Sequence, residues 1–225
     1  MIASASLIMT YYPIFLDIED RPCAVVGGGE VARRKVEGLV ACGARVRIVA
    51  RDLTERLLAL RDGGVIEHVP EDYSFAAVAG SFLVFGATDD EDVNGRIAAD
   101  CRRAGILVNI ADDPKRCDFI LPSVCRRGDL TIAVSTGGKS PALAKRIREE
   151  LEDRYGEEYA DLLEILGSLR GPVIARGLSA DENREVFTGL LEGGILEAVR
   201  RRDWDEVRRL IREGTGEEPT LPCRS

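Results

Sequence analysis

The chain has 225 residues, 45% of them apolar and 31% charged, enough for one large domain or a domain with a smaller companion. That balance excludes a disordered chain, a collagen and a disulfide mini-protein. With 39 acidic against 31 basic residues the formal charge is −8, the reverse of what a general nucleic-acid binder carries.

Leu7 to Leu16 is the longest apolar stretch near the start, interrupted by Thr10 and Pro13 and preceded by no base. It is too short to span a bilayer and lacks a signal peptide's charged start, so a cytoplasmic protein without membrane contact is expected. Cys23 to Val26 reads as a compact apolar strand, broken by Gly27-Gly28-Gly29. Residues 30–42 follow as a helix, with Val31, Val36, Leu39 and Val40 near one face, and Gly43 closes it. Arg45 to Ala50, Val65 to Val69, Phe82 to Phe85 and Ile106 to Ile110 complete the strands, with helices near 53–61 and 90–104. This alternation predicts an α/β fold: an N-terminal Rossmann-like, doubly wound parallel sheet over residues 1–121.

After Pro114 the pattern changes. Phe119 to Leu121 and Leu130 to Val134 read as strands joined by a turn at Arg126-Arg127-Gly128-Asp129. Ser140 is the expected N-cap and Pro141 the first position of a helix running to about Tyr155. A small α+β domain is thus expected over 122–155 and a helical C-terminal domain over 156–225. The latter shows a capping box at Ser179 to Glu182 and an apolar stripe of Trp204, Val207, Leu210 and Ile211. Its last ten residues or so are expected to fray. Residues 151–225 hold 17 acids and 11 bases, whereas 139–150 hold four bases and two acids, a local basic spot.

Four motifs are placed to carry chemistry. Gly27-x-Gly29-x-x-Ala32 lies in the first strand-to-helix turn, where glycines let the backbone approach a pyrophosphate and helix amides meet its charge. At the end of the second strand Arg51 suits a 2′-phosphate and Asp52 a ribose, so these residues leave NAD and NADP both open. Thr88 with Glu91 fits a capping box in a loop where nucleotides bind. Asp112-Asp113-Pro114 ends a further strand; such acids commonly form turns, but a carboxylate there can act as general base if burial raises its pKa. Ser135-Thr136-Gly137-Gly138-Lys139-Ser140-Pro141 combines a glycine pair, a lysine and a helix start, which suits an anion or, alternatively, a flexible link with an ordinary cap.

Other residues argue against competing chemistries. The six cysteines (Cys23, Cys42, Cys101, Cys117, Cys125 and Cys223) include no C-x-x-C pair and read as free thiols, Cys117 and Cys125 as packing residues. His68, the sole histidine, lies in a predicted strand, which leaves little for a His-based zinc site or a Ser-His-Asp hydrolase. No preformed metal site is expected.

The four motifs occur together in one family. The chain resembles the precorrin-2 dehydrogenase family of siroheme biosynthesis, which also forms the N-terminal module of siroheme synthases. Tyr12-Pro13-Ile14-Phe15, GGGEVARRK from Gly27, ATDDEDVN from Ala87, NIADDPKRCDFILPS from Asn109 and STGGKSPALAKRIREELE from Ser135 carry the likeness, over roughly residues 12–170. It implies NAD-dependent oxidation of precorrin-2 to sirohydrochlorin and, in many relatives, ferrous iron insertion at the same site to give siroheme. It implies a homodimer paired through the middle domain. By motif, Asp112 matches the family's catalytic aspartate, and Glu30, Val31, Arg51 and Asp52 fall where relatives contact NAD. Thr136 stands where some synthases carry a phosphorylatable serine. No methyltransferase module is expected, so precorrin-2 is expected from another protein. The substrate carries several carboxylates, for which Thr136, Gly137, Lys139, Ser140, Arg126 and Arg127 are candidates. The competing reading is a non-catalytic NAD(H)-binding redox sensor, and an acidic tail without a basic helix-turn-helix argues against it.

Overall fold

A computed structural model describes residues 11–222, in two compact units that divide between Leu121 and Pro122. Part of the early apolar stretch, Cys223 and the end of the tail lie outside the described residues. Among the described residues no helix is long and apolar enough to cross a membrane.

The first unit is built on five short strands: β1 (Pro22–Val26), β2 (Arg45–Val49), β3 (Ile66–Val69), β4 (Leu83–Gly86) and β5 (Leu107–Ile110). They pair in parallel in the order β3-β2-β1-β4-β5. Both faces are covered because alternate residues of each strand point to opposite sides. Cys23, Val25, Ile48 and Phe85 meet Ala32, Val36 and Leu39 of helix α1 (Glu30–Val40) and Leu57 of α2 (Glu55–Asp62) in one apolar cluster. Ala24, Val26, Val84 and Val108 face Ala77 and Val78 of α3 (Phe75–Val78) and Ile97 and Cys101 of α4 (Glu91–Ala104) in another. The order reverses between β1 and β4, which places a crevice outside their carboxyl ends.

The second unit opens with a hairpin, β6 (Ser123–Arg127) and β7 (Leu130–Val134). Helices α5 (Pro141–Arg154), α6 (Glu158–Ala175), α7 (Ala180–Glu192), α8 (Ile195–Arg200) and α9 (Trp204–Thr215) follow. Leu162, Ile165, Leu169, Leu190, Ile195, Val207 and Ile211 form its core, with Trp204 and Leu210 packed at the edge. Ser140 accepts from the Leu143 amide as α5's cap, and the Ser179–Glu182 capping box makes both of its bonds.

Three expectations are corrected. Phe119 to Leu121 is no strand: Asn109 Nδ2 donates to the Phe119 carbonyl at 2.9 Å, and the Phe119 ring meets Phe85 edge-on at 5.5 Å. The predicted four-residue turn shrinks to Gly128-Asp129, since Arg126 and Arg127 pair within β6 and Gly128 at φ +55° supplies the left-handed turn residue. The cap of α4 is Asp90, which accepts from the Asp92 and Val93 amides, so Thr88 and Glu91 form no capping box. The four-residue α3 leaves no mark in the sequence pattern, being too short to show a period.

Candidate active site

The turn after β1 shows what each glycine does. Gly27 has φ +115°, and a Cβ on it would lie 2.2 Å from the Ala87 carbonyl oxygen. A Cβ on Gly28 would lie 1.8 Å from the Asp52 carbonyl oxygen. These two residues let the ends of β4 and β2 close onto the turn, and Thr54 N–H donates to the Gly28 carbonyl at 3.1 Å. Gly29 differs: nothing lies within 4 Å of where its Cβ would be. It is the N-cap of α1 and makes no side-chain cap bond, so the first amides of α1 face this open space without a capping side chain. Free amides, the positive end of a helix and room beside an uncluttered glycine fit a pyrophosphate.

The other predicted cofactor residues surround this turn. Val31 is half-buried in the first turn of α1, and the Glu30 carboxylate pairs with Arg33 at 2.7 Å. Glu30 therefore offers its backbone more readily than its side chain. Thr88 sits over Gly27, its hydroxyl 3.0 Å from Asn94 Oδ1 and 3.1 Å from the Asp90 carbonyl. The buried Asn94 returns a 2.8 Å bond to the Thr88 carbonyl, which fixes this rim of the crevice. Asp52 is exposed, and Arg51 is ion-paired with Asp72. His68 braces the sheet edge and takes no part in the crevice, its Nε2 lying 2.8 Å from the Ala50 carbonyl.

Past β5 the two adjacent carboxylates separate. Asp113 accepts from the Lys115 amide at 3.1 Å, pairs with Arg116 at 3.2 Å and caps the 3-10 turn Pro114–Arg116. Asp112 holds a left-handed backbone, φ +59°, and its exposed carboxylate has no hydrogen-bond partner among the described residues. The carboxylate is exposed, so the burial considered from the sequence is absent. Such a backbone in a non-glycine residue is sparsely populated and marks a site worth chemical attention.

Lys35, which lies outside the four chemical motifs, belongs to the same edge. Burial lowers its ammonium's pKa from the ordinary lysine value, with Arg34 adding to the effect and Asp112 opposing it. Its Nζ lies 5.8 Å from the Phe85 ring centroid. The 3.6 period gives a usable signal, because Lys35 borders the face defined by Ala32, Val36 and Leu39. Cys117 clamps the loop: its thiol donates toward the Ile110 and Asp113 carbonyls, both at 3.2 Å, and burial raises its pKa. It is a packing group, as expected.

Comparison with known proteins places this geometry. An NAD(P)-binding family model matches residues 14–123, and a model of the central part of the sirohaem biosynthesis protein matches residues 127–154. The chain is 40% identical over 195 residues to a siroheme synthase of Chromobacterium violaceum. It is 39% identical over 196 residues to siroheme synthase 1 of Aeromonas salmonicida. A solved structure described as SirC, precorrin-2 dehydrogenase, aligns with TM-score 0.71 at 26% identity, over 88% of this chain and all of that one. The chain is similar to the siroheme synthase and precorrin-2 dehydrogenase family, matching the N-terminal module of the synthases. Each match to the two synthases covers 87% of this chain and 42% of the relative, so the chain spans about two fifths of their length.

The family's central segment contains the remaining predicted residues. Gly137 and Gly138 are both left-handed, at φ +61° and +80°. The Thr136 hydroxyl accepts from the Ser140 amide at 3.1 Å and lies 3.1 Å from its carbonyl, and the Lys139 amide bonds to the Thr136 carbonyl. The loop is thus self-braced. Lys145, Arg146 and Arg148 pair with Glu149, Glu150 and Glu152 along α5, whereas Lys139 is exposed and makes no ion pair among the described residues. Ser140 takes one amide of α5 and Pro141 has none to offer, which leaves the Lys139 ammonium as the more available group for an anion. Arg127 is no longer a ligand candidate: it donates to the Glu152 carbonyl at 3.0 Å and pairs with Glu157 at 3.4 Å.

Proposed function

We propose that this chain is an NAD-dependent precorrin-2 dehydrogenase that forms sirohydrochlorin. The observation that carries this reading is Asp112: an exposed carboxylate without a hydrogen-bond partner among the described residues, held in a left-handed backbone beyond a strand that neighbours the cofactor crevice. The family supplies the substrate class. Bound NAD supplies the hydride acceptor. The α1 amides and Gly29 hold its pyrophosphate, Arg51 and Asp52 border the ribose, and Thr88 forms the opposite rim. Oxidation removes a hydride and a proton from the substrate, and Asp112 takes the proton or orients the ring for its loss. Lys139, with Thr136, Gly137 and Ser140, binds substrate carboxylates. The same site inserts ferrous iron, itself a substrate, into the product: the macrocycle binds it through its nitrogens as two pyrrole N–H groups release their protons to solvent or to Asp112. The domain limits 122–155 and 156–225 belong to the same proposal, as does a homodimer paired through the former. Apolar side chains left exposed on that segment, Val124 of β6 and Leu143 of α5, support such a pairing.

The test is purified protein with NAD and enzymatically generated precorrin-2, followed by absorbance with and without ferrous iron. NADH formation with sirohydrochlorin is expected, and siroheme when iron is present. No NADH would overturn the dehydrogenase, and sirohydrochlorin left unchanged by iron would remove the chelatase. Sedimentation showing a monomer at micromolar concentration would contradict the dimer.

A further inference from the structure

Arg51 stands about 20 residues beyond the glycine turn, where Rossmann sites distinguish the two nicotinamide dinucleotides: an acid there holds a ribose hydroxyl, an arginine accommodates a 2′-phosphate. Read alone, an arginine points to NADP. Its surroundings point the other way. The backbone bearing Arg51 is clamped from two sides: Ala50 N–H bonds to the Val69 carbonyl at 3.2 Å, and Thr54 N–H bonds to the Gly28 carbonyl. Arg51 therefore stays beside the cofactor turn. Its guanidinium donates to the Asp72 carboxylate. The backbone at Asp72 is held in turn, because the next residue, Tyr73, is buried and donates from its hydroxyl to Asp100 at 2.9 Å. Both partners of the pair are about 70% exposed, 71% for Arg51 and 72% for Asp72, and pairs that wet contribute little to stability. The chemistry nearby gives the pair a different use.

We propose that Asp72 sets the preference for NAD over NADP by engaging Arg51 and placing negative charge where a 2′-phosphate would sit. A 2′-phosphate would have to displace a carboxylate from the guanidinium and remain beside it, and Asp52 adds a second like charge. A ribose hydroxyl meets neither penalty. The inference rests on the first unit being an NAD(P)-binding domain and needs no tetrapyrrole.

The test is fluorescence titration of NADH and NADPH against the full chain, its Asp72→Asn and Arg51→Ala variants and the double variant. Asp72→Asn keeps the size of the side chain and frees Arg51. The NADPH-to-NADH affinity ratio should rise about tenfold, one charge-assisted hydrogen bond's worth, and the gain should shrink with added salt. The double variant should lose that gain. An unchanged ratio in Asp72→Asn with NADH still bound, or a gain that survives removal of Arg51, would overturn the proposal alone. A wild-type chain that binds neither nucleotide would overturn the cofactor assignment with it.

Discussion

Asp112 and Asp113 carry the same side chain one peptide bond apart, and the backbone gives them different roles. Asp113 spends its carboxylate on the Lys115 amide and Arg116, while Asp112 keeps its own clear at φ +59°. Asp112→Asn preserves both size and tolerance of the left-handed region, so it removes charge without adding strain. Turnover of precorrin-2 should fall by about 10²–10⁴, with NADH titration unchanged because the proposed pyrophosphate site is at the α1 turn. Asp113→Ala should instead cost about 1 kcal/mol of stability through the lost cap, read by urea denaturation. Near-normal turnover in Asp112→Asn would return both acids to turn formation. The glycines separate in the same way. Gly29→Asp should fold, since its Cβ meets nothing, and fail to bind NADH because it adds bulk and charge where phosphate approaches. Gly28→Ala should damage folding itself, as its Cβ would overlap the Asp52 carbonyl. Sequence spacing identifies the motif but not this division, because which glycine faces backbone and which faces open space depends on strands distant in the chain.

Elements are legible where burial on both faces leaves a continuous apolar run. β1 and β4 are central in the sheet and their sequences, PCAVV and LVFG, reflect that position. Phe119 to Leu121 is equally apolar, yet it packs by its ring and carbonyl and finds no strand partner. Apolar character predicts burial there and not pairing. The start of α4 is legible as a cap but not in register, since Thr88-Asp89-Asp90-Glu91 offers several capping oxygens within four residues. Asp90 satisfies two amides, while Thr88 turns to Asn94. Asp90→Ala should therefore destabilise the first unit by about 1 kcal/mol, whereas Glu91→Gln should stay within about 0.5 kcal/mol of the parent. Equal losses in urea denaturation for both variants would favour the Thr88–Glu91 cap instead.

On the scale of the whole molecule, the two units should respond differently to alkali. Cys101 is fully buried against the neighbours of α4, and burial raises its thiol to about 11, with Asp100 and Asp118 adding to the effect. Burial likewise raises Cys23 and Cys117, and burial with the Asp100 hydrogen bond raises Tyr73 well beyond the usual phenol range. All four lie in the first unit. A thiol whose pKa is raised by folding stays neutral in the native state while the unfolded chain already ionises. Its contribution is therefore complete below the unfolded pKa, near 9, and is lost as pH climbs toward the folded value. For Cys101 alone the loss should be about 2–3 kcal/mol between pH 9 and 11. The chain's single tryptophan, Trp204, packs at the edge of the second unit's core and reports on that unit, while amide exchange in β1 and β4 reports on the first. Under reducing conditions, β1 and β4 protection should fall steeply over this range and the tryptophan-monitored urea transition should shift less. Cys101→Ala should lower first-unit stability at about pH 7.5, from the cavity it leaves, and flatten the alkaline slope. A slope of equal steepness in Cys101→Ala would mean that the other three groups carry the titration. A first unit indifferent to alkali would mean that water reaches these groups in the native state.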